Sequence, residues 1–139
     1  MVIRRMTEED YKDVFDLWSE TEGIGLSDVN DTFEGIRAYL GRNPTTCFVA
    51  EEGGALAGVI LSGHDGRRGF IYHAAVRAAL RGRGIGTALV GAALDALKKE
   101  GITKTALVAF SKNDKGNKFW ETLGFTKRDD LVYRNKSLI

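Results

Sequence analysis

Residues 81 to 86 read Arg81-Gly82-Arg83-Gly84-Ile85-Gly86, with a further arginine, Arg77, just upstream. The chemistry suited to such a segment is anion binding. Glycines let backbone N–H groups approach a phosphate, arginines add full charges, and a helix starting here contributes its unpaired N–H groups. The apolar run from Phe70 to Val76 reads as a strand, and the amphipathic stretch from Thr87 onward reads as a helix. The pattern predicts a strand–turn–helix cradle for a pyrophosphate.

Three phosphate-binding patterns compete for this segment. A dinucleotide fingerprint needs G-x-G-x-x-G, and Gly82 and Gly84 begin it, but Thr87 occupies the third glycine position. A P-loop needs Lys followed by Ser or Thr after its last glycine, and the segment has none. The pattern (Gln/Arg)-x-x-Gly-x-(Gly/Ala) is met by Arg81, Gly84 and Gly86. It resembles the acetyl-CoA loop of the GNAT superfamily of N-acetyltransferases. A second motif of that family, Asn-x-x-(small)-x-x-(apolar)-Tyr-Glu-x-Leu-Gly-Phe, is matched by Asn113, Gly116, Phe119, Trp120, Glu121, Leu123, Gly124 and Phe125. The stretch from Gly63 to His73 is similar to a subgroup of small bacterial-type members, and the resemblance spans essentially the whole chain.

The resemblance implies a fold, a donor and a reaction. The fold is α/β in the α+β mixed sense, a mixed central sheet flanked by about four helices. The donor is acetyl-CoA, its pantetheine arm lying on the backbone of Ala74, Ala75 and Val76. Its pyrophosphate rests on the amides of Arg81, Gly82, Arg83, Gly84, Ile85, Gly86 and Thr87, with Asn113 and Trp120 as further cofactor contacts. No metal is expected. The reaction is direct attack of a primary amine on the thioester in a ternary complex, with the Val76 N–H as oxyanion donor.

Two residues depart from the family pattern. Trp120 stands where the usual acid is Tyr, and an indole N–H cannot hand over a proton. Tyr133, on an expected C-terminal hairpin, is the replacement acid, with Tyr72 as the alternative. A Glu that some members carry early on the central strand is Phe70 here. His73, three residues before Val76, is the replacement base, because an imidazole pKa near about 6.5 suits proton uptake. His64 and Asp65, or a water relay, are the alternatives. Glu20, Glu22, Asp28 and Asp31, with Asp129 and Asp130, form an acidic group expected to draw a cationic acceptor.

These residues need elements to hold them. Val2 to Met6 reads as a strand, and Thr7 caps a helix carrying Tyr11, Val14, Phe15 and Trp18 at helical spacing. A loop from Ser19 to Asn30 leads to a second helix around Phe33, Ile36 and Leu40. Gly53-Gly54 joins the strands Thr46 to Glu52 and Ala55 to His64 as a hairpin. After the central strand and the Gly84 to Glu100 helix come a strand from Thr103 to Phe110, a helix from Asn113 to Leu123, and a final hairpin over Phe125 to Ile139. The expected order is β-α-α-β-β-β-α-β-α-β-β.

The 139 residues are expected to form a single domain, and their net charge of +1 offers no broad field for nucleic acid. No apolar run approaches membrane-spanning length, and the N-terminus lacks the apolar core of a signal peptide, so the expected compartment is the cytoplasm. The single cysteine, Cys47, cannot form an internal disulfide and reads as a buried thiol. The partners expected are acetyl-CoA and an amine acceptor, small molecule or peptide, with no nucleic acid or membrane and a homodimer left open. Ribosomal-protein-type N-terminal acetylation is the alternative within the class. A CoA-binding module without catalysis is the alternative outside it, and a nicotinamide enzyme is a third option set back by the glycine spacing.

Overall fold

The computed structural model describes residues 1–139, which divide into two compact units, Met1–Val108 and Ala109–Ile139. The first unit contains β1 (Val2–Arg5), α1 (Tyr11–Glu20), α2 (Phe33–Arg42), β2 (Phe48–Glu52), β3 (Ala55–His64), β4 (Gly69–Val76), α3 (Ile85–Lys99) and β5 (Thr105–Ala106). The strands lie in the order β1-β2-β3-β4-β5; all neighbours are antiparallel except β4 and β5, which run parallel.

β3 is the middle of the sheet, and eight consecutive residues from Leu56 to Gly63 are buried. Such a run is expected of a strand covered on both faces. Neighbouring residues point to opposite faces. Val59 packs into the core built with Val14, Leu17 and Trp18 of α1 and Ile36 and Leu40 of α2. Gly58 faces α3, where a Cβ would stand 2.9 Å from Leu89 Cδ1 and 3.0 Å from the Ala75 carbonyl oxygen. A side chain at position 58 would hold α3 away from the sheet. The β2–β3 turn uses Gly53 and Gly54 at φ of +59° and +80°, the left-handed pair that a tight hairpin requires.

Three expected strands are changed or missing. The strand expected over Thr103 to Phe110 is reduced to β5, which pairs with β4 only at Gly69↔Thr105 and Phe70↔Ala106. In the second unit α4 (Asp114–Thr122) is formed, with Asn113 as its N-cap, but residues 125–139 contain no strand. Leu131, Val132, Tyr133, Leu138 and Ile139 are 61–94% exposed. The second unit holds no sheet of its own on which a hairpin could lie, and a lone two-stranded hairpin is marginal in water.

Candidate active site

The end of β4 has an open edge. Beyond Phe70, β4 continues to Val76 with β3 on one side and no strand on the other. Arg77 N–H donates to the Ala57 carbonyl at 2.8 Å, toward β3. Successive N–H groups of a strand alternate in direction, so Val76 directs its own N–H to the open edge. Ala74 and Val76 are half-buried there and Ala75 is buried.

The chain leaves β4 through a 3-10 turn, Ala78–Leu80, and reaches α3 through Gly82 and Gly84, at φ of +80° and +83°. No heavy atom stands within 4 Å of a Cβ built at either glycine, so the approach to this backbone is clear. Gly84 is the N-cap of α3 and supplies no side-chain oxygen, while its carbonyl accepts the first helical bond from Ala88 N–H at 3.0 Å. The N–H groups of Ile85, Gly86 and Thr87 head the helix without intrahelical partners. Arg81 turns back, its Nε donating to the Val76 carbonyl at 3.1 Å. Arg83 is exposed at the loop. Arg77, expected beside a phosphate, is turned away: its Nε donates to the Leu56 carbonyl at 2.9 Å and its Nη1 stands 3.5 Å from Glu20.

A bulge interrupts β4 ahead of this edge. The β3–β4 register passes from Leu61↔Tyr72 to Val59↔Ala75, so His73 and Ala74 together oppose Ile60. His73 adopts φ 44°, the left-handed region, and no other residue except glycines does so. Its carbonyl accepts from Trp18 Nε1 at 3.0 Å, and the two rings meet edge to face at 5.1 Å. Its Nε2 lies 3.0 and 2.9 Å from the two carboxylate oxygens of Asp31. Asp31 is buried, and its Oδ2 also accepts the Ser27 N–H at 2.8 Å.

These contacts reassign several expected residues. Asp31, expected among the carboxylates that draw a cationic acceptor, is buried against His73, and Glu20 pairs with Arg77. Asp129 and Asp130 pair within the second unit with Lys127 at 3.4 Å and Arg128 at 2.8 Å. His64 and Asp65 shape the β3–β4 turn: Gly66 N–H donates to His64 Nδ1 at 3.0 Å, and Arg67 and Arg68 N–H donate to Asp65 at 2.8 and 2.9 Å. Those backbone bonds, from Arg68 and then Arg67, hold the Asp65 carboxyl below its usual range. The turn adjoins Gly69, the far end of β4 from Val76, which is roughly 20 Å away at about 3.3 Å per residue. Neither residue can serve chemistry at Val76. Tyr72 is 44% exposed and packs on Phe70 (4.7 Å) and Tyr39 (5.8 Å).

In the second unit, Asn113 accepts the Gly116 N–H at 3.1 Å, and Trp120 stacks edge to face with Phe119 and Phe125 at 5.0 and 5.2 Å. Tyr133 is 66% exposed and lies in the segment without strands, not on a hairpin. Cys47 is buried, and burial pushes its thiol up to about 12, which leaves it protonated and unreactive at neutral pH. No group of three or more His, Cys, Asp or Glu is placed to hold a metal ion, and no helix is long and apolar enough to cross a membrane. The bonds of Trp18 and Asp31 to His73 carried no local signal in the sequence, because the partners lie 55 and 42 positions apart.

Residues 10–125 match the model of the acetyltransferase (GNAT) family. The chain is 32% identical over 139 residues to an acetyltransferase of Sodalis glossinidius, covering 100% of this chain and 96% of that one. Among solved structures it is similar to the aminoglycoside 6'-N-acetyltransferase of Acinetobacter haemolyticus, with TM-score 0.78, 20% identity and 100% of both chains covered. It is also similar to a predicted acetyltransferase of Clostridium acetobutylicum solved with acetyl-CoA, with TM-score 0.73 and 20% identity over 96% of this chain and 95% of that one.

Proposed function

The chain belongs to the GNAT acetyltransferase family and is an acyltransferase, and from that premise we propose that it moves an acetyl group from acetyl-CoA to a primary amine by direct attack. The observation that carries this reading is the open β4 edge ending at Val76, followed after one short turn by the glycine loop that heads α3. The edge offers backbone to a pantetheine arm, and the amides from Gly82 to Thr87 offer donors to a pyrophosphate, the Arg81 N–H being taken by the Ala78 carbonyl at 3.3 Å. Asn113 and Trp120 are assigned to the same donor by motif.

Acetyl-CoA supplies an activated thioester. The amine must first be neutral, since at pH 7 only about one lysine-like amine in a thousand is. Its nitrogen forms a bond to the carbonyl carbon while the Val76 N–H stabilises the oxygen that takes up charge. His73 accepts the proton that the nitrogen sheds, and the carbon–sulfur bond breaks. Thiols ionise near about 8.5, so coenzyme A departs as a thiolate and is protonated by solvent. Tyr133 is dispensable in this scheme. The acceptor is a small-molecule amine or a peptide amino group, and the aromatic ledge of Tyr72, Phe70 and Tyr39 beside His73 favours an acceptor with an apolar body.

The test is release of coenzyme A thiol from acetyl-CoA across a panel of small amines and peptides with free N-termini, comparing wild type with Gly84→Glu. Position 84 has open space, so the side chain projects charge at the phosphate site without a core clash, although φ of +83° strains the backbone of any residue but glycine. Amine-dependent release by wild type and its loss in a folded Gly84→Glu protein are expected. A Gly84→Glu protein as active as wild type would place the donor elsewhere. Wild type that binds acetyl-CoA but releases thiol with no amine would favour the module without catalysis.

A further inference from the structure

We propose that Asp31 is a positioning residue that holds His73 in one tautomer, with the hydrogen on Nε2 and the lone pair on Nδ1. The proposal rests on the reading of His73 as the base. A carboxylate accepts and does not donate, so a ring nitrogen 2.9 and 3.0 Å from both its oxygens must carry the hydrogen. The other nitrogen then keeps the lone pair, as in any neutral imidazole whose first nitrogen is committed. Nδ1 is the ring nitrogen nearer Cβ, which puts the basic atom beside the β4 backbone and turns the committed atom toward the loop before α2.

Both ends of this pair are held. The Asp31 carboxylate accepts the Ser27 N–H at 2.8 Å, and its backbone carbonyl accepts the Tyr11 hydroxyl at 2.8 Å. The His73 carbonyl is taken by Trp18 Nε1 at 3.0 Å, outside the strand ladder, and His73 keeps a left-handed backbone that non-glycine residues seldom adopt. Such outliers persist only where surroundings over-determine them, and they gather at functional sites. Asp31 is 6% exposed, so it does not meet solvent-borne substrate, and its action goes through His73.

The two histidines of the chain, His64 and His73, make the test direct. Protein labelled with ¹⁵N-histidine is examined by NMR at a mildly alkaline pH, with His64→Gln giving the assignment. Wild-type His73 is expected as the Nε2–H tautomer. In Asp31→Asn an oxygen held by the Ser27 N–H would still lie within reach of Nε2, so the variant used is Asp31→Ala, which removes both oxygens, and the appearance of the Nδ1–H tautomer beside Nε2–H is expected. A merely structural tie would not make Nδ1 reactive at the donor site. Diethyl pyrocarbonate, read by mass spectrometry at His73, is therefore expected to modify wild type and to lose that modification when acetyl-CoA is present. Wild-type His73 found as Nδ1–H, or a tautomer unmoved in Asp31→Ala, overturns the proposal, and the first of these needs no variant to fold. Unprotected His73 in protein that binds acetyl-CoA by calorimetry also overturns it, and leaves the donor site standing. Absence of acetyl-CoA binding removes the donor reading and the proposal together.

Discussion

His73 occupies the bulge three residues before the amide assigned to the oxyanion, in a backbone conformation imposed by Trp18 and Asp31. General-base catalysis contributes about 10²–10⁴-fold, so His73→Ala is expected to lower kcat by about a hundredfold or more. A loss under about tenfold would exclude that role. Cys47 makes a contrasting prediction. Burial raises its thiol to about 12, so the native protein at pH 8 is expected to resist thiol reagents and to react fully once unfolded. Fast labelling of the native state would show that the site opens. The glycine turn that heads α3 was legible from residue types because its parts are adjacent. The partner of His73 was not: Asp31 looks like one more surface carboxylate until folding brings it to His73 across 42 positions. For the same reason Arg77, close in sequence to the loop, could not be seen turning toward Glu20.

At the scale of elements, α3 depends on its fit to β3. Gly58→Ala puts a Cβ against Leu89 and the Ala75 carbonyl, at a spacing that forces a shift. Overpacking of this kind typically costs about 1–3 kcal/mol, so a lower Tm is expected; an unchanged Tm would mean that α3 is free to move outward. β1 is joined to the start of α1 by Arg4, whose guanidinium meets Asp10 at 2.7 and 2.9 Å and Glu51 at 2.7 Å. Burial alone would raise the Asp10 carboxyl, but bonds from Arg4 and Thr7 bring it below its ordinary value. A carboxyl lowered in the folded state stabilises above its unfolded pKa, near about 3.9, and that stability is lost as pH falls through the folded value. Asp10→Asn should therefore lower Tm at pH 7 and make progressively less difference as the pH falls below the ordinary carboxyl range, as thermal melts across pH would show. Strands and helices with strong local periodicity were legible, including the Gly53-Gly54 hairpin and α3. The short extent of β5 and the strandless terminal segment were not, because strand pairing is set by contacts between segments far apart in sequence, and β5 meets β4 at only two residues.

At the scale of the whole molecule, family membership identifies the chemistry as acyl transfer, while this chain's departures concern the groups that move protons. Trp120 stands at the usual acid position, and the base we propose is His73, paired with Asp31. The donor site is common to every version of the account, including the one without catalysis. It is tested most directly by calorimetric titration of the purified protein with acetyl-CoA, with NADH as the control ligand. Saturable binding of acetyl-CoA at one site, and none of NADH, is predicted. Folded protein that takes up no acetyl-CoA would contradict the account at its centre, because the open β4 edge and the glycine loop would then have no donor to hold.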